Sequence, residues 1–173
     1  MAKKISAGIL PYRFGSDGHL EVFLVHPGGP FWARKDAGAW SVAKGEVDDG
    51  EDELLSVALR EFKEETGLVP DGEFLELEPV QQPSKKVVHT WAVAQDFDPA
   101  AFVSNEFEME WPRGSGVLKS FPEVDRVEWF NIPTAKLKIL PGQVPIIEQI
   151  VELLKYDSSM DRSIDNAGQS SLF

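Results

Sequence analysis

The sequence predicts one domain of the α/β (α+β) class, in which a mixed β-sheet is covered by helices. Three observations lead there. Candidate elements run as strands, a helix, several strands and a final helix, an order that packs helices against a sheet. The 173 residues, 42% hydrophobic and 27% charged, suit a single core of ordinary size. The two helical segments differ in kind, one carrying an apolar stripe and the other an acidic one. The domain is expected over residues 1–156, and the Ser-, Asp-, Asn- and Gly-rich stretch 157–173, without periodicity, reads as a mobile tail.

Residues 4–14 alternate as a strand, the Gly15-Ser16-Asp17-Gly18 cluster forms its turn, and residues 20–26 return as a second strand. A loop over 27–45, PGGPFWARKDAGAWSVAKG, is rich in Gly and Pro yet carries Phe31, Trp32, Arg34, Lys35, Trp40 and Lys44. Long loops so furnished are more often functional than idle. A helix follows over 52–66, with Asp52 as N-cap and Gly67 as its stop. Strands are expected over 74–80 and 87–94. A hairpin over 108–111 and 117–121 turns through Pro112-Arg113-Gly114-Ser115-Gly116, and another strand spans 126–130. Finally, Ile146, Ile147, Ile150, Val151, Leu153 and Leu154 mark residues 143–156 as an amphipathic helix laid on the core.

The formal charge of -12 and pI near 4.6 argue against unspecific binding of nucleic acid or an anionic membrane, both of which need a basic footprint. Most of that charge reads as a solvated acidic surface. The absence of cysteine excludes disulfides, thiolate catalysis and thiolate metal sites. With no apolar run long enough to cross a bilayer and no secretion-type start, a cytoplasmic location is expected.

The informative stretch is 45–68, GEVDDGEDELLSVALREFKEETGL. On a helix, Glu61, Glu64 and Glu65 share one stripe, since residues three and four apart are surface neighbours. Leu54, Leu55, Ala58 and Phe62 occupy the adjoining arc, so the carboxylates border the buried face. A half-desolvated acidic cluster is costly unless a cation joins it, and oxygen donors suit a hard ion such as Mg2+ or Mn2+. The bland alternative is a solvated acidic face paired with Arg60 and Lys63.

The whole pattern decides against that alternative. Gly45, Arg60, Glu61, Phe62, Glu64, Glu65, Gly67 and Leu68 fill the positions of the Nudix signature, which this stretch resembles. Six fixed positions match by accident in roughly one chain in ten thousand or fewer. The spacing departs once: eight residues separate Glu51 from Arg60 where the family usually has seven. Either Glu51 or Asp52 can therefore take the signature position that pairs with the arginine. Ala43 also stands where many relatives carry Pro.

The resemblance, to MutT-type members, covers roughly 4–154 and implies an α/β/α sandwich with a mixed sheet between helices. It further implies a Mg2+-dependent enzyme, with Mn2+ a possible substitute, that hydrolyses a phosphoanhydride in a nucleoside diphosphate linked to another group. Glu61 and Glu65 are then metal ligands, Glu64 is a further ligand or the general base, and the Lys44 or Gly45 carbonyl is an additional ligand. Arg60 completes the signature set. Glu123, from a late loop, is expected at the metal or as base, with Glu106, Glu108 and Glu110 as rivals. Substrate contacts are sought among Arg34, Lys35, Lys44, Lys85 and Lys86 for phosphate, and among Trp32, Trp40 and Trp91 for a base. His26 and His89, lacking partners at ligand spacing, read as structural.

KKVVHTWA resembles the lysine and histidine strand of members acting on nucleoside triphosphates and dinucleoside polyphosphates, which is the favoured substrate class. Pro83, fifteen residues after Leu68, resembles a marker of ADP-ribose hydrolases, so an ADP-ribose or nucleotide-sugar pyrophosphatase is the alternative. A nucleotide-sensing module without catalysis is a further one. The expected partner is a small nucleotide, with the chain a monomer or homodimer.

Overall fold

The computed structural model describes residues 4–164. Its elements in chain order are β1 (Ile5–Phe14), β2 (Leu20–Pro27), β3 (Ala43–Glu46), α1 (Leu54–Thr66), β4 (Phe74–Glu76), β5 (Val80–Gln81), β6 (Val87–Ala94), β7 (Glu106–Glu110), β8 (Leu118–Pro122), β9 (Val124–Asn131), α2 (Ile132–Lys138) and α3 (Val144–Leu153). β1 and β6 run parallel in the centre, and the other pairings in that sheet are antiparallel, giving the order β4-β6-β1-β2-β9. The mixed sheet expected from the sequence is therefore present. β1 divides its free edge: Ser6–Ile9 pair with β3, while Tyr12–Phe14 pair with β2.

Strand alternation sorts the side chains into two cores. Leu20, Val22 and Leu24 of β2 join Val88 and Ala92 of β6 beneath α2 and α3, where Ala135, Ile146, Ile147 and Ile150 are buried. Phe23, Val25, Trp91 and Val93 face the other way, against Val57, Ala58 and Phe62 of α1. The layering is α/β/α, with α2 and α3 on one face and, among the described residues, α1 as the α-helix of the other. Phe62 is 0% exposed and sits among Phe23 and Phe97 at ring-centroid distances of 6.2 and 5.7 Å. Burying such a side chain contributes about 1.5–3 kcal/mol, which fixes the rotation of α1 about its axis.

Several boundaries differ from the sequence reading. The helix starts at Leu54 with Glu53 as N-cap residue and no side-chain cap bond, so Asp52 is not the cap. The expected strand over 74–80 is broken into β4 and β5; Pro79, which has no N–H to give a ladder, lies in the gap. Two elements were not anticipated. β3 hides in the Gly-rich loop because its pairing with β1 is tertiary, and α2 is a seven-residue helix capped by Asn131, whose side chain accepts from Thr134 N. The expected tail includes residues 165–173, outside the described residues. Within 157–164, Tyr156 Oη donates to Asp161, Asn131 Nδ2 donates to the Arg162 carbonyl, and Ile164 N donates to Thr134 Oγ1. No helix among the described residues is long and apolar enough to cross a membrane.

Candidate active site

The acidic stripe is held in place from both ends of α1. At the C-terminus Gly67 adopts a left-handed conformation, φ 72°, and its N–H returns to the Lys63 carbonyl at 2.7 Å, as a helix stop requires. At the N-terminus Arg60 reaches back to Glu51, with Nη1 to Oε2 at 2.6 Å, and Glu51 Oε1 accepts the Asp48 N–H at 2.9 Å. Glu51, not Asp52, is thus the arginine's partner. The additional residue in the spacing is absorbed by the non-helical Asp52 and Glu53 before the first turn.

Between these anchors the glutamates meet β3. Glu61 lies so close to Gly45 that an added Cβ there would fall 2.0 Å from the Glu61 carboxyl carbon, so only glycine admits the carboxylate. Glu65 Oε1 accepts the Lys44 N–H at 3.2 Å. Side-chain exposure is 17% for Glu61 and 42% for Glu64, which leaves Glu64 the wetter of the two. Glu123, the residue between β8 and β9, completes the group.

Electrostatics separate these acids. Burial, with the charges of Glu123 and Glu61 adding to it, pushes the Glu65 carboxyl up to about 8 despite the opposing Lys44. Burial also raises Glu61, helped by Glu64 and opposed by Arg60, and partial desolvation with Glu64 nearby raises Glu123. Burial and then Lys86 lower the Lys44 ammonium, against the pull of Glu65 and Glu46. Among the described residues no three Asp, Glu or His side chains converge as a ready coordination shell: Glu61 turns to Arg60 at 3.4 Å and Glu65 to the Lys44 amide.

A cleft of about 170 Å³ opens beside this group, with Trp32, Ser41, Lys44, Glu65 and Glu123 in its wall. Four residues singled out from sequence, namely Trp32, Lys44, Glu65 and Glu123, are therefore brought together. Lys35 stands over the Trp32 ring, its Nζ 4.9 Å from the centroid. Lys86 is next to Lys44 and pairs with Glu46 at 3.4 Å. Arg34 and Lys85 are exposed and line no part of the cleft, and Glu108 and Glu110 are exposed on the hairpin. Trp40 and Trp91 do not serve as stacking surfaces. They are 1% and 7% exposed, and Trp40 packs edge-on to Phe130 while its Nε1 donates to Asp36 at 2.8 Å.

The sequence reading missed the partners of two buried polar residues. His26, fully buried, bridges the Asp125 carboxylate at 2.7 Å and the Lys35 carbonyl at 2.6 Å, tying the aromatic loop to β9. Gln143, also fully buried, accepts the Val42 N–H at 3.1 Å and donates to Ser41 Oγ and Gln82 Oε1, both at 3.0 Å. Both bridges join residues distant in sequence, so no local spacing announces them.

A family model described as NUDIX domain matches residues 2–150. A comparison with curated proteins gives no significant match. Among solved structures the chain is similar to the NUDIX domain of Shewanella oneidensis NrtR complexed with ADP ribose. That pair shares 20% identity and a TM-score of 0.62, covering 89% of this chain and 90% of that one. It is similar to a C. elegans Ap4A hydrolase binary complex at 22% identity and TM-score 0.58, over 88% and 98% of the two chains. The MutT protein of Bacillus halodurans follows at 16% identity and TM-score 0.52, over 86% and 82%. These structural likenesses speak for the fold, and the family model adds the motif region. With the glutamate helix, its arginine brace and the glycine that admits Glu61 all in place, the chain belongs to the NUDIX domain family.

Proposed function

We propose that the protein is a divalent-metal-dependent hydrolase that cleaves a phosphoanhydride bond in nucleoside triphosphates or dinucleoside polyphosphates. The observation that carries this reading is Glu65, a carboxyl desolvated enough to be raised to about 8, set beside Glu61 and Glu123 on a cleft that also presents Lys44. Buried acids so arranged cost stability in the free protein, and such costs concentrate at functional sites. The donor set fits a hard dication: every contributor is an oxygen. Glu61 and Glu65 would hold Mg2+, or Mn2+ in its stead, together with the Gly45 carbonyl. Bound there, the ion would neutralise phosphate charge and lower the pKa of a water.

The remaining roles belong to the chain itself. Arg60 braces Glu51 and keeps Glu61 turned toward Gly45. Lys44 offers a partly buried cation to the phosphates, where low dielectric strengthens the attraction. Glu64, solvent-accessible at 42%, takes the proton of the attacking water, with Glu123, near enough to feel its charge, orienting it. Trp32 offers an aromatic face to a nucleobase, and Lys35 beside it adds positive charge. Pro83, the residue that pointed to ADP-ribose, is exposed and lies against Gly142, on which a Cβ would meet its Cδ at 2.7 Å.

The test is a screen of purified protein with MgCl2 against nucleoside triphosphates, dinucleoside polyphosphates, ADP-ribose and nucleotide sugars, with product analysis. Turnover of the first two classes, abolished by Glu64→Gln, is the expected result. Cleavage of ADP-ribose or nucleotide sugars alone would replace the substrate assignment, and binding without turnover of any of them would replace catalysis with sensing.

A further inference from the structure

The β7–β8 hairpin is a separate two-stranded sheet beside the cleft, and its two faces differ. The register pairs Phe107 with Phe121, Met109 with Lys119 and Glu108 with Ser120. Alternation therefore gathers Phe107, Met109, Lys119 and Phe121 on one face, while Glu106, Glu108 and Glu110 occupy the other, exposed. The apolar and basic face is turned to the aromatic loop: a Cβ on Gly29 would lie 3.0 Å from Phe107 Cζ. At the tip the Trp111 and Phe31 rings meet edge-on, centroids 5.4 Å apart, and the Arg113 guanidinium stands 5.0 Å above Phe31. Phe31 remains 45% exposed. It is also the neighbour of Trp32, which lines the cleft, and Glu123 follows directly on β8.

We infer that Phe31, Trp111 and Arg113 form a second aromatic subsite, one that takes the distal nucleobase of a dinucleoside polyphosphate. Continuity with the cleft and the distribution of charge support it. Arg113 stands over Phe31 and Lys119 shares the face of Phe107 and Phe121, so the positive charge lies on the side turned to the aromatic loop, whereas three glutamates repel an anionic chain from the outer face. A base can stack on such rings without sequence preference, and the guanidinium adds a cation to the same stack. This assignment rests on the phosphoanhydride hydrolase reading and narrows it: substrates with a second base gain from the hairpin, and those ending in phosphate do not.

The experiment compares Trp111→Ala and Phe31→Ala with the parent protein, using diadenosine tetraphosphate and ATP as substrates. Both side chains lie at the surface tip, and Trp111→Phe serves as the conservative control. The expected result is a roughly tenfold or larger rise in KM for diadenosine tetraphosphate, with kcat kept, a change of less than twofold in KM for ATP, and recovery in Trp111→Phe. Equal effects on both substrates, or none on either, would overturn the subsite. If the parent turns over neither nucleotide, the hydrolase reading has failed separately. Calorimetric titration of parent and Trp111→Ala with diadenosine tetraphosphate and MgCl2, in a Glu64→Gln background, then decides the subsite. Weaker binding in the Trp111→Ala variant supports it, and equal binding or none rejects it.

Discussion

Two regions border the same cleft and are built on opposite principles. The β3–α1 segment presses Ala58 and Phe62, each 0% exposed, into the core, and its acids are fixed by the helix and by their contacts with Lys44 and Gly45 of β3. The β7–β8 hairpin has no fully buried residue: β7 alternates exposed and half-buried positions, and β8 is exposed from Leu118 to Ser120. Chemistry needs groups held within a fraction of an ångström, and packing supplies that. Selection among substrates tolerates a softer wall, and exposed hairpins supply it. Substitutions in the first region should therefore act on kcat, and those in the second on KM.

The largest expected effect tests the rigid side. Glu65→Gln should lower kcat by about a thousandfold or more, since truncating a charge-stabilising group commonly costs that much. The metal-free variant should melt no lower than the parent at neutral pH, because a carboxyl that must take up a proton on folding has been replaced by a neutral amide. A variant that unfolds instead would recast Glu65 as structural, as circular dichroism melting would reveal.

Next comes a pair of glycines. Gly45→Ala would drive a methyl into the Glu61 carboxylate, whereas Gly28→Ala would drive one to 1.9 Å from the Pro122 carbonyl oxygen at the root of the hairpin. Steady-state kinetics should show Gly45→Ala losing kcat by about a hundredfold, the scale of an ångström misplacement. Gly28→Ala should lower stability as well and disturb Glu123. Equal kcat in Gly45→Ala and the parent would show that Glu61 can move freely.

A smaller effect concerns pH. Glu65 titrates at about 8 in the fold against an ordinary 4.5, so between those values the folded state holds a proton that the unfolded chain has released. Proton binding then favours the native state at the acid end, and stability of the metal-free protein should fall as pH rises from about 4.5 to about 8. Each kcal/mol lost appears as roughly 2–4 °C of melting temperature in a chain of this size. Thermal melts in EDTA should show the decline, and Glu65→Gln should flatten it; a parent profile that already matches Glu65→Gln would refute the burial argument. Smallest of all, Leu118→Ser, on the outer face and 67% exposed, should shift stability by no more than about 0.5 kcal/mol and leave KM for ATP as it is. A larger shift would mean that the hairpin is part of the folding unit.

The same division explains what could be read from the chain beforehand. β6 was anticipated at its true limits, Val87–Ala94, and the end of α1 at Gly67, because alternation and a glycine stop are local signals. The carboxylate stripe was legible for the same reason, since helical periodicity alone places Glu61, Glu64 and Glu65 together. β3 was not, because Ala43–Glu46 has no strand-like composition and becomes a strand only by lying on β1. Glu51 could not be preferred over Asp52 until Arg60 was seen to reach it. Trp40 illustrates the converse: an indole in a Gly-rich loop resembles a ligand platform, yet Asp36 and Phe130 draw it into the interior.

The hairpin's root has a further consequence. Val103 N–H bonds the Thr66 carbonyl at 2.7 Å and Asn105 N–H bonds the Glu64 carbonyl at 2.9 Å, so the chain entering β7 is fastened to the last turn of α1 by main-chain atoms. Main-chain fasteners are indifferent to side-chain identity. Glu123 N–H closes the arm on the Asn105 carbonyl at 2.8 Å, so a lineage can lengthen, shorten or redecorate the hairpin between Asn105 and Glu123 without retuning the acids on α1, which makes the arm an exchangeable tool on a fixed handle.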